Sequence, residues 1–324
     1  MINSFILQRN GEFKVNASSD ELRQFLRDDK AVIWVDFEAA SNEENGALTD
    51  IFNFHPLAVE DCINLSHHPK LDKYDDYLFL VLHAVDFGRK KGEEMATLEL
   101  NIFIGSNFIV TYHRKPIRSV IATRDRCRQR PEKILGEGPD FLMHKIVDAL
   151  VDNYLPTFSL IEHEIDHVED EVFENSSEGL LETILTLKKD VMYLKKVVTQ
   201  QRNTVYKLAN TRLELIGKDS QMYFSDIYDQ LYRFTDQIEN FRDLLNNMVD
   251  MYLSMSSMKM NQIVKTLTVV MTILMPMTLV TGIYGMNFKF MPEINSPYGY
   301  YLTLAAMLLM AILLGYFMKR KRWF

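Results

Sequence analysis

Tyr284-Gly285-Met286-Asn287-Phe288 closes a stretch that carries no charge from Thr266 onward, and a second uncharged stretch runs from Ile294 to Met318. A hydrocarbon layer about 30 Å thick needs ~20 residues of helix to cross, so each stretch is long enough to span one. Only Lys289 to Glu293 lies between them, too little for a domain. The chain therefore reads as a large soluble body ending in a two-helix membrane hairpin. The first span lies near residues 263–284, the outer turn over 285–298, the second span near 299–318 and a basic tail over 319–324.

Charge divides the same way. The chain of 324 residues has a net charge of -8. From Lys259 onward seven basic residues stand against Glu293 alone, a balance of +6, which leaves -14 on the first 258 residues. Such a body attracts cations and repels nucleic acid, although an acidic surface also serves solubility alone. Cys62 and Cys127 are the only cysteines, a usage that points to a reducing compartment without a disulfide framework. Met1 to Asn16 has neither the layout of a signal peptide nor that of a transit peptide. The body is expected in the cytoplasm.

The flanks orient the hairpin. Lys259 and Lys265 precede the first span, Lys319 to Arg322 follow the second, and the turn holds one Lys and one Glu. By the positive-inside rule both termini are cytoplasmic and Gly285-Met286-Asn287 lies outside.

Residues 1–135 read as a mixed α/β domain. Ala31 to Phe37 and Tyr77 to Phe87 are rich in β-branched and aromatic residues, and Leu98 to Ile104 and Phe108 to Tyr112 flank the turn signal Gly105-Ser106-Asn107. Helices are expected over Ser19 to Arg27, near Pro56 to Asn64 and over Ile117 to Arg128. Residues 136–258 read as a helical domain and stalk. One periodic segment covers Phe141 to Asn175, a second Leu180 to Asn210, and a third begins at Asp219. From Ser220 to Tyr284 the only proline is Pro276 and the only glycine Gly282. A helix of that length approaches ~100 Å, a stalk continuous with the first span.

Two membrane helices cannot enclose a pore, so the composition of the first span matters. Asn261, Val264, Leu267, Met271, Met275, Thr278 and Gly282 recur at threes and fours, one face of mixed polar and soft apolar character. The second span is almost wholly Leu, Ala, Met, Ile and aromatic, as suits a lipid-facing helix. A ring of first spans surrounded by second spans accommodates both; so does packing within one hairpin, since threonine is tolerated in membrane helices.

The whole series of motifs resembles the CorA family of magnesium and cobalt transporters. In the membrane region the likeness runs through Met275-Pro276-Met277-Thr278, Gly282-Ile283-Tyr284-Gly285-Met286-Asn287-Phe288, Met291-Pro292-Glu293 and the ending Arg322-Trp323-Phe324. It continues in Tyr223-Phe224-Ser225-Asp226-Ile227-Tyr228-Asp229 and Asn240-Phe241-Arg242-Asp243. In the N-terminal domain it covers His55-Pro56-Leu57-Ala58-Val59-Glu60-Asp61 and His68-Pro69-Lys70.

That resemblance implies a funnel-shaped homopentamer in the cell membrane, surrounded by lipid, that passes hydrated Mg²⁺ and also Co²⁺ and Ni²⁺. It implies a mouth of Gly285, Met286 and Asn287, a pore lined by Asn261 and Thr278 with an apolar constriction at Val264, Leu267, Met271 and Met275, and a backbone turn at Gly285 of the left-handed kind. It also implies a regulatory Mg²⁺ site between subunits, with Asp226 on the stalk and Asp86 on the neighbouring N-terminal domain. Glu93 and Glu94 compete with Asp86 for that role. A zinc transporter of the same fold is the alternative, and Met286 favours magnesium over it.

Two other motifs point elsewhere. His163-Glu164-Ile165-Asp166-His167 fits H-E-x-x-H, the helical zinc-protease pattern, but no third ligand is evident. His67-His68 and Cys62 lack a second cluster to complete a tetrahedral site. No G-x-x-x-x-G-K-[ST] is present, which argues against an ATP-driven enzyme.

Overall fold

The computed structural model describes all residues except 29, 66–67, 87–94, 175–178, 288, 290, 292–295, 322 and 324. Glu93, Glu94, the Asn175-Ser176-Ser177 break and, in the outer turn, Phe288 with residues 290 and 292–295 therefore lie outside the described residues. The chain divides into two compact units, Met1–Met248 and Val249–Phe324.

In the first unit the strands are β1 (Ile2–Gln8), β2 (Phe13–Val15), β3 (Ala31–Glu38), β4 (Lys70–Lys73), β5 (Leu78–Val85), β6 (Thr97–Ile104) and β7 (Phe108–His113). They form one sheet in the order β2-β1-β3-β7-β6-β5-β4. Among the described residues only β3 and β7 pair in parallel, in the register Asp36↔Thr111 and Glu38↔His113. The expected hairpin is present: Ile104 pairs with Ile109, and the Gly105 amide donates to the Phe108 carbonyl at 2.9 Å.

The two faces of β3 differ. Ile33, Val35 and Phe37 join Phe79, Phe103 and Val110 in an apolar layer closed by α1 (Ser19–Leu26), α2 (Asn42–Asp50) and α3 (Pro56–Asn64) through Leu22, Leu48 and Ala58. Trp34 and Asp36, which alternate with these residues, point the other way. That face is covered by α4 (Arg118–Gln129), α5 (Pro131–Leu135) and α6 (Pro139–Asp152).

The helical segment expected over 141–175 is two helices, α6 and α7 (Leu155–Glu174). Pro156 has no N–H for the Asp152 carbonyl, and its ring disfavours the α conformation at Leu155, so the helix stops and restarts. Next come α8 (Leu180–Asn210) and α9 (Lys218–Tyr284). Within the first unit α9 buries Phe224, Ile227, Leu231, Phe234, Ile238, Phe241, Leu245 and Met248. Steps of three and four keep all of them on one stripe. Phe158 stacks on Phe234 there, with centroids 4.6 Å apart. Polar ties hold the helices to β5: the His83 amide donates to Gln201 Oε1 at 3.0 Å, and the Tyr154 hydroxyl donates to the His83 carbonyl at 2.7 Å. The second unit contains the rest of α9 and α10 (Gly299–Arg320).

Candidate ion pathway and acidic site

The uncharged end of α9 hides almost nothing. Asn261, Val264, Leu267, Met271, Met275, Thr278, Gly282, Gly285, Met286 and Asn287 are all exposed. Val264, Leu267, Met271 and Met275 are each more than half exposed. Leu308, Leu309, Ile312 and Leu313 on α10 are similarly bare. Apolar surface on this scale requires lipid or other chains to cover it. Both helices are long and apolar enough to cross a membrane.

The threonines are half satisfied from within. The hydroxyls of Thr268, Thr272 and Thr278 donate to the carbonyls of Val264, Thr268 and Leu274 at 2.8, 2.7 and 3.0 Å. A hydroxyl that has given its proton to the backbone still offers an oxygen lone pair. Such a group can accept a hydrogen bond from an ion's hydration water without carrying charge.

At the helix end the expected left-handed glycine is not found. The described glycines with positive φ are Gly11, Gly138 and Gly179, not Gly285. The Gly285 amide still bonds to the Thr281 carbonyl at 2.9 Å, and the Met286 amide bonds to Ile283 at 3.2 Å. The helix thus tightens into a last short turn rather than reversing. Close approach favours glycine instead, since a Cβ on Gly285 would lie 3.2 Å from the Thr281 carbonyl oxygen, tighter than ordinary contact. Asn287 follows this turn, past the end of the helix.

Asp226 is exposed on α9. Three residues earlier Tyr223 stacks on His144 of α6, with centroids 4.8 Å apart, and Phe224 meets the same ring edge-on. Burial and then the Lys145 charge push His144 down to about 4, against the pull of Asp226. Burial and the nearby carboxylates Asp152 and Asp226 push Asp148 up. Asp226 thus has a second carboxylate, Asp148, within its electrostatic reach, and sequence reasoning did not single it out. Asp86 has different company: Lys115 Nζ lies 3.3 Å from its Oδ2. Within one chain, therefore, Asp226 and Asp86 sit among different partners.

A buried cluster was also not foreseen. Ligand atoms of Asp36, Glu38 and His113 all lie within 4.8 Å of one another. A metal is nevertheless a poor fit. Arg124 already bridges the two carboxylates, at 3.2 Å from Asp36 and 2.9 Å from Glu38. Both nitrogens of His113 face acceptors, Asp36 Oδ1 at 3.1 Å and the Lys115 carbonyl at 2.7 Å. Only the imidazolium donates to both. Burial alone would lower the pKa of His113, but the bond and charge of Asp36 outweigh it and raise the pKa. Two cations already neutralise two anions here.

These features define a class, a membrane protein with an α/β body, a long connecting helix and two C-terminal spans. The sequence profile described as "CorA-like Mg2+ transporter protein" matches residues 29–320. The chain belongs to that family. It is 34% identical to YfjQ of Bacillus subtilis over 91% of each protein. It is 31% identical to the cobalt/magnesium transport protein CorA of Thermotoga maritima over 95% of this chain and 91% of that one. The complete structure of the CorA magnesium transporter from Methanocaldococcus jannaschii superposes with a TM-score of 0.86 at 24% identity, covering 99% of this chain and 98% of that one.

Proposed function

We propose that this protein is a channel-like Mg²⁺ transporter, working as a funnel-shaped homopentamer in the cell membrane with both termini in the cytoplasm. The observation that carries this reading is Asn287, just past the uncharged end of α9, where Leu267, Met271, Met275, Thr278 and Gly282 are all exposed. Five Asn287 side chains would present a ring of neutral carbonyl oxygens. Mg²⁺ is small, octahedral and slow to shed water, so such a ring can hold the hydrated ion without stripping it. Gly285 and Met286 shape the mouth, Thr278 and Asn261 offer polar positions further in, and Gly282 gives room between them. Val264, Leu267, Met271 and Met275 form an apolar constriction that closes by dewetting.

Transport is passive. A divalent ion moving through ~100 mV gains about 4.6 kcal/mol, twice the value for a unit charge. Asp226, with Asp148 beside it, meets Asp86 of a neighbouring copy, and cytoplasmic Mg²⁺ between them holds the closed state. Carboxylate oxygens suit that ion. The same pore also passes Co²⁺ and Ni²⁺.

The test is ion uptake into proteoliposomes with membrane potential and proton gradient varied separately. The expected result is Mg²⁺ uptake that follows potential alone. Zn²⁺ uptake without Mg²⁺ uptake would replace this reading by the zinc transporter of the same fold. No cation flux in a correctly assembled protein would reject transport.

A further inference from the structure

Asp86 and Lys115 stand where two strands leave the sheet. β5 and β7 both run antiparallel to β6, which lies between them, so their C-terminal ends reach the same edge. Asp86 is the residue after β5, and its amide continues the pairing by donating to the Ala96 carbonyl at 3.3 Å. Lys115 lies two residues beyond β7, and its ammonium reaches Asp86 Oδ2 at 3.3 Å.

The two ends of this lysine are held differently. Its carbonyl accepts from His113 Nδ1 at 2.7 Å, and Pro116 disfavours the α region for its backbone. Its side chain is 67% exposed, whereas that of Asp86 is only 16% exposed. The root of the cation is thus fixed at the buried cluster, while its head faces water. Asp86 has little room to turn away. The lysine head does, being a compact charge on a flexible stem.

We infer, building on the regulatory site proposed above, that Lys115 is a tethered competitor of Mg²⁺ for Asp86 and sets the Mg²⁺ level at which the closed state forms. At low Mg²⁺ the ammonium of its own chain neutralises Asp86, and no ion ties Asp86 to Asp226 of a neighbouring copy. As Mg²⁺ rises, the ion brings two charges and gathers carboxylate oxygens from both copies, and Lys115 swings into water. An ion pair with one exposed partner is weak, so the exchange is reversible. The competitor belongs to the chain, so its local concentration stays constant and the switching point follows Mg²⁺.

The experiment follows limited proteolysis of full-length protein in detergent across a Mg²⁺ titration. Wild type is compared with Lys115→Gln, which removes the charge, and with Lys115→Arg, which keeps it. The protection midpoint of Lys115→Gln should fall about twofold to fivefold in Mg²⁺, the scale of a part-exposed ion pair. That of Lys115→Arg should be no lower than the wild-type midpoint. Inhibition of flux in proteoliposomes should move to lower Mg²⁺ in Lys115→Gln alone. The side chain is largely exposed and the bond to His113 is made by the backbone, so elution volumes should match the wild type. A Lys115→Gln midpoint equal to that of wild type would overturn the competition. So would an equal fall in Lys115→Arg. In either case the regulatory site itself stands if Asp226→Asn still weakens protection. Wild-type protection that does not respond to Mg²⁺ would remove the regulatory site, and the role of Lys115 with it.

Discussion

The ring of His144 lies against the ring of Tyr223 with their planes 24° apart. This stack ties α6 to the part of α9 that carries Asp226. Asp148, one turn further along α6, lies within electrostatic reach of Asp226. Half-buried Asp148 and exposed Asp226 thus bring two carboxylates to one helix–helix junction, whose repulsion the proposed regulatory Mg²⁺ would relieve.

The first prediction concerns that junction. Asp226→Asn keeps the volume and removes one charge and one metal-binding oxygen. If Mg²⁺ binds the closed state there, a hundredfold excess over Kd stabilises that state by about 2.7 kcal/mol. The variant should lose most of this. Limited proteolysis across a Mg²⁺ titration should then show weaker protection of the N-terminal domain, and flux should be inhibited less as internal Mg²⁺ rises. Identical protection and inhibition curves would leave Asp226 as a solvated helix residue.

At the proposed mouth, Asn287→Ala removes the side-chain oxygen that, on this reading, a hydrated ion would meet first. Uptake of Mg²⁺ should fall to background while the oligomer elutes unchanged. Near-normal flux through a correctly assembled variant would reject the selectivity role.

How much of this was legible in sequence followed from range. The spans were plain because uncharged runs of this length have few other uses. The hairpin at Gly105 and the helices over Pro56–Asn64 and Leu180–Asn210 carried local signals. β1 has its apolar residues in a short N-terminal run that could have gone either way. β4, Lys-Leu-Asp-Lys, is an edge strand whose charges mask its alternation; Lys70 is held by Asp61 and Asp72 at 2.6 and 2.8 Å. The break after Asp152 was readable at Pro156 and was overridden by the apolar periodicity around it. Asp36 sits one residue from Trp34 in a strand, while its partners His113 and Arg124 lie far along the chain. No spacing rule joins residues brought together by strand pairing and a helix seven elements later. The nearness of Asp148 to Asp226 was hidden too, because only tertiary packing brings α6 and α9 together.

Topology is open to a direct test. A cysteine at Ser296 should react with an impermeant thiol reagent from outside, and one at Ser225 should not. Ser225 is exposed, whereas nearby Ser220 is buried and would stay silent on either side. The native cysteines can remain. Both are buried and free, and burial pushes the Cys62 thiol up and the Cys127 thiol up to about 12, so neither supplies thiolate. Labelling of Ser225Cys alone would invert the orientation.

The last prediction concerns the buried cluster behind β3. Asp36 is fully buried, and its charge is met by Arg124 on one oxygen and His113 on the other. Arg124→Met should therefore destabilise the N-terminal domain by about 3 kcal/mol, the lower end for a buried pair that loses one partner; partly exposed Glu38 can turn to water and limits the damage. The His113 contribution depends on pH with a definite sign. Its folded pKa is raised above the unfolded value of about 6.5. The stabilisation from charged His113 is thus fully present below pH ~6.5 and is lost as pH rises through the folded pKa. His113→Gln keeps a donor but no titration. The melting temperature of full-length wild type in detergent should exceed that of the variant most at about pH 6, and the gap should shrink on the alkaline side, where the wild-type imidazole gives up one of its two donors. A charge-assisted bond of this kind carries about 1.5–3 kcal/mol, which sets the largest gap to look for. Melting curves that stay parallel from mildly acidic to alkaline pH would mean that His113 is neutral throughout and that Arg124 alone balances Asp36.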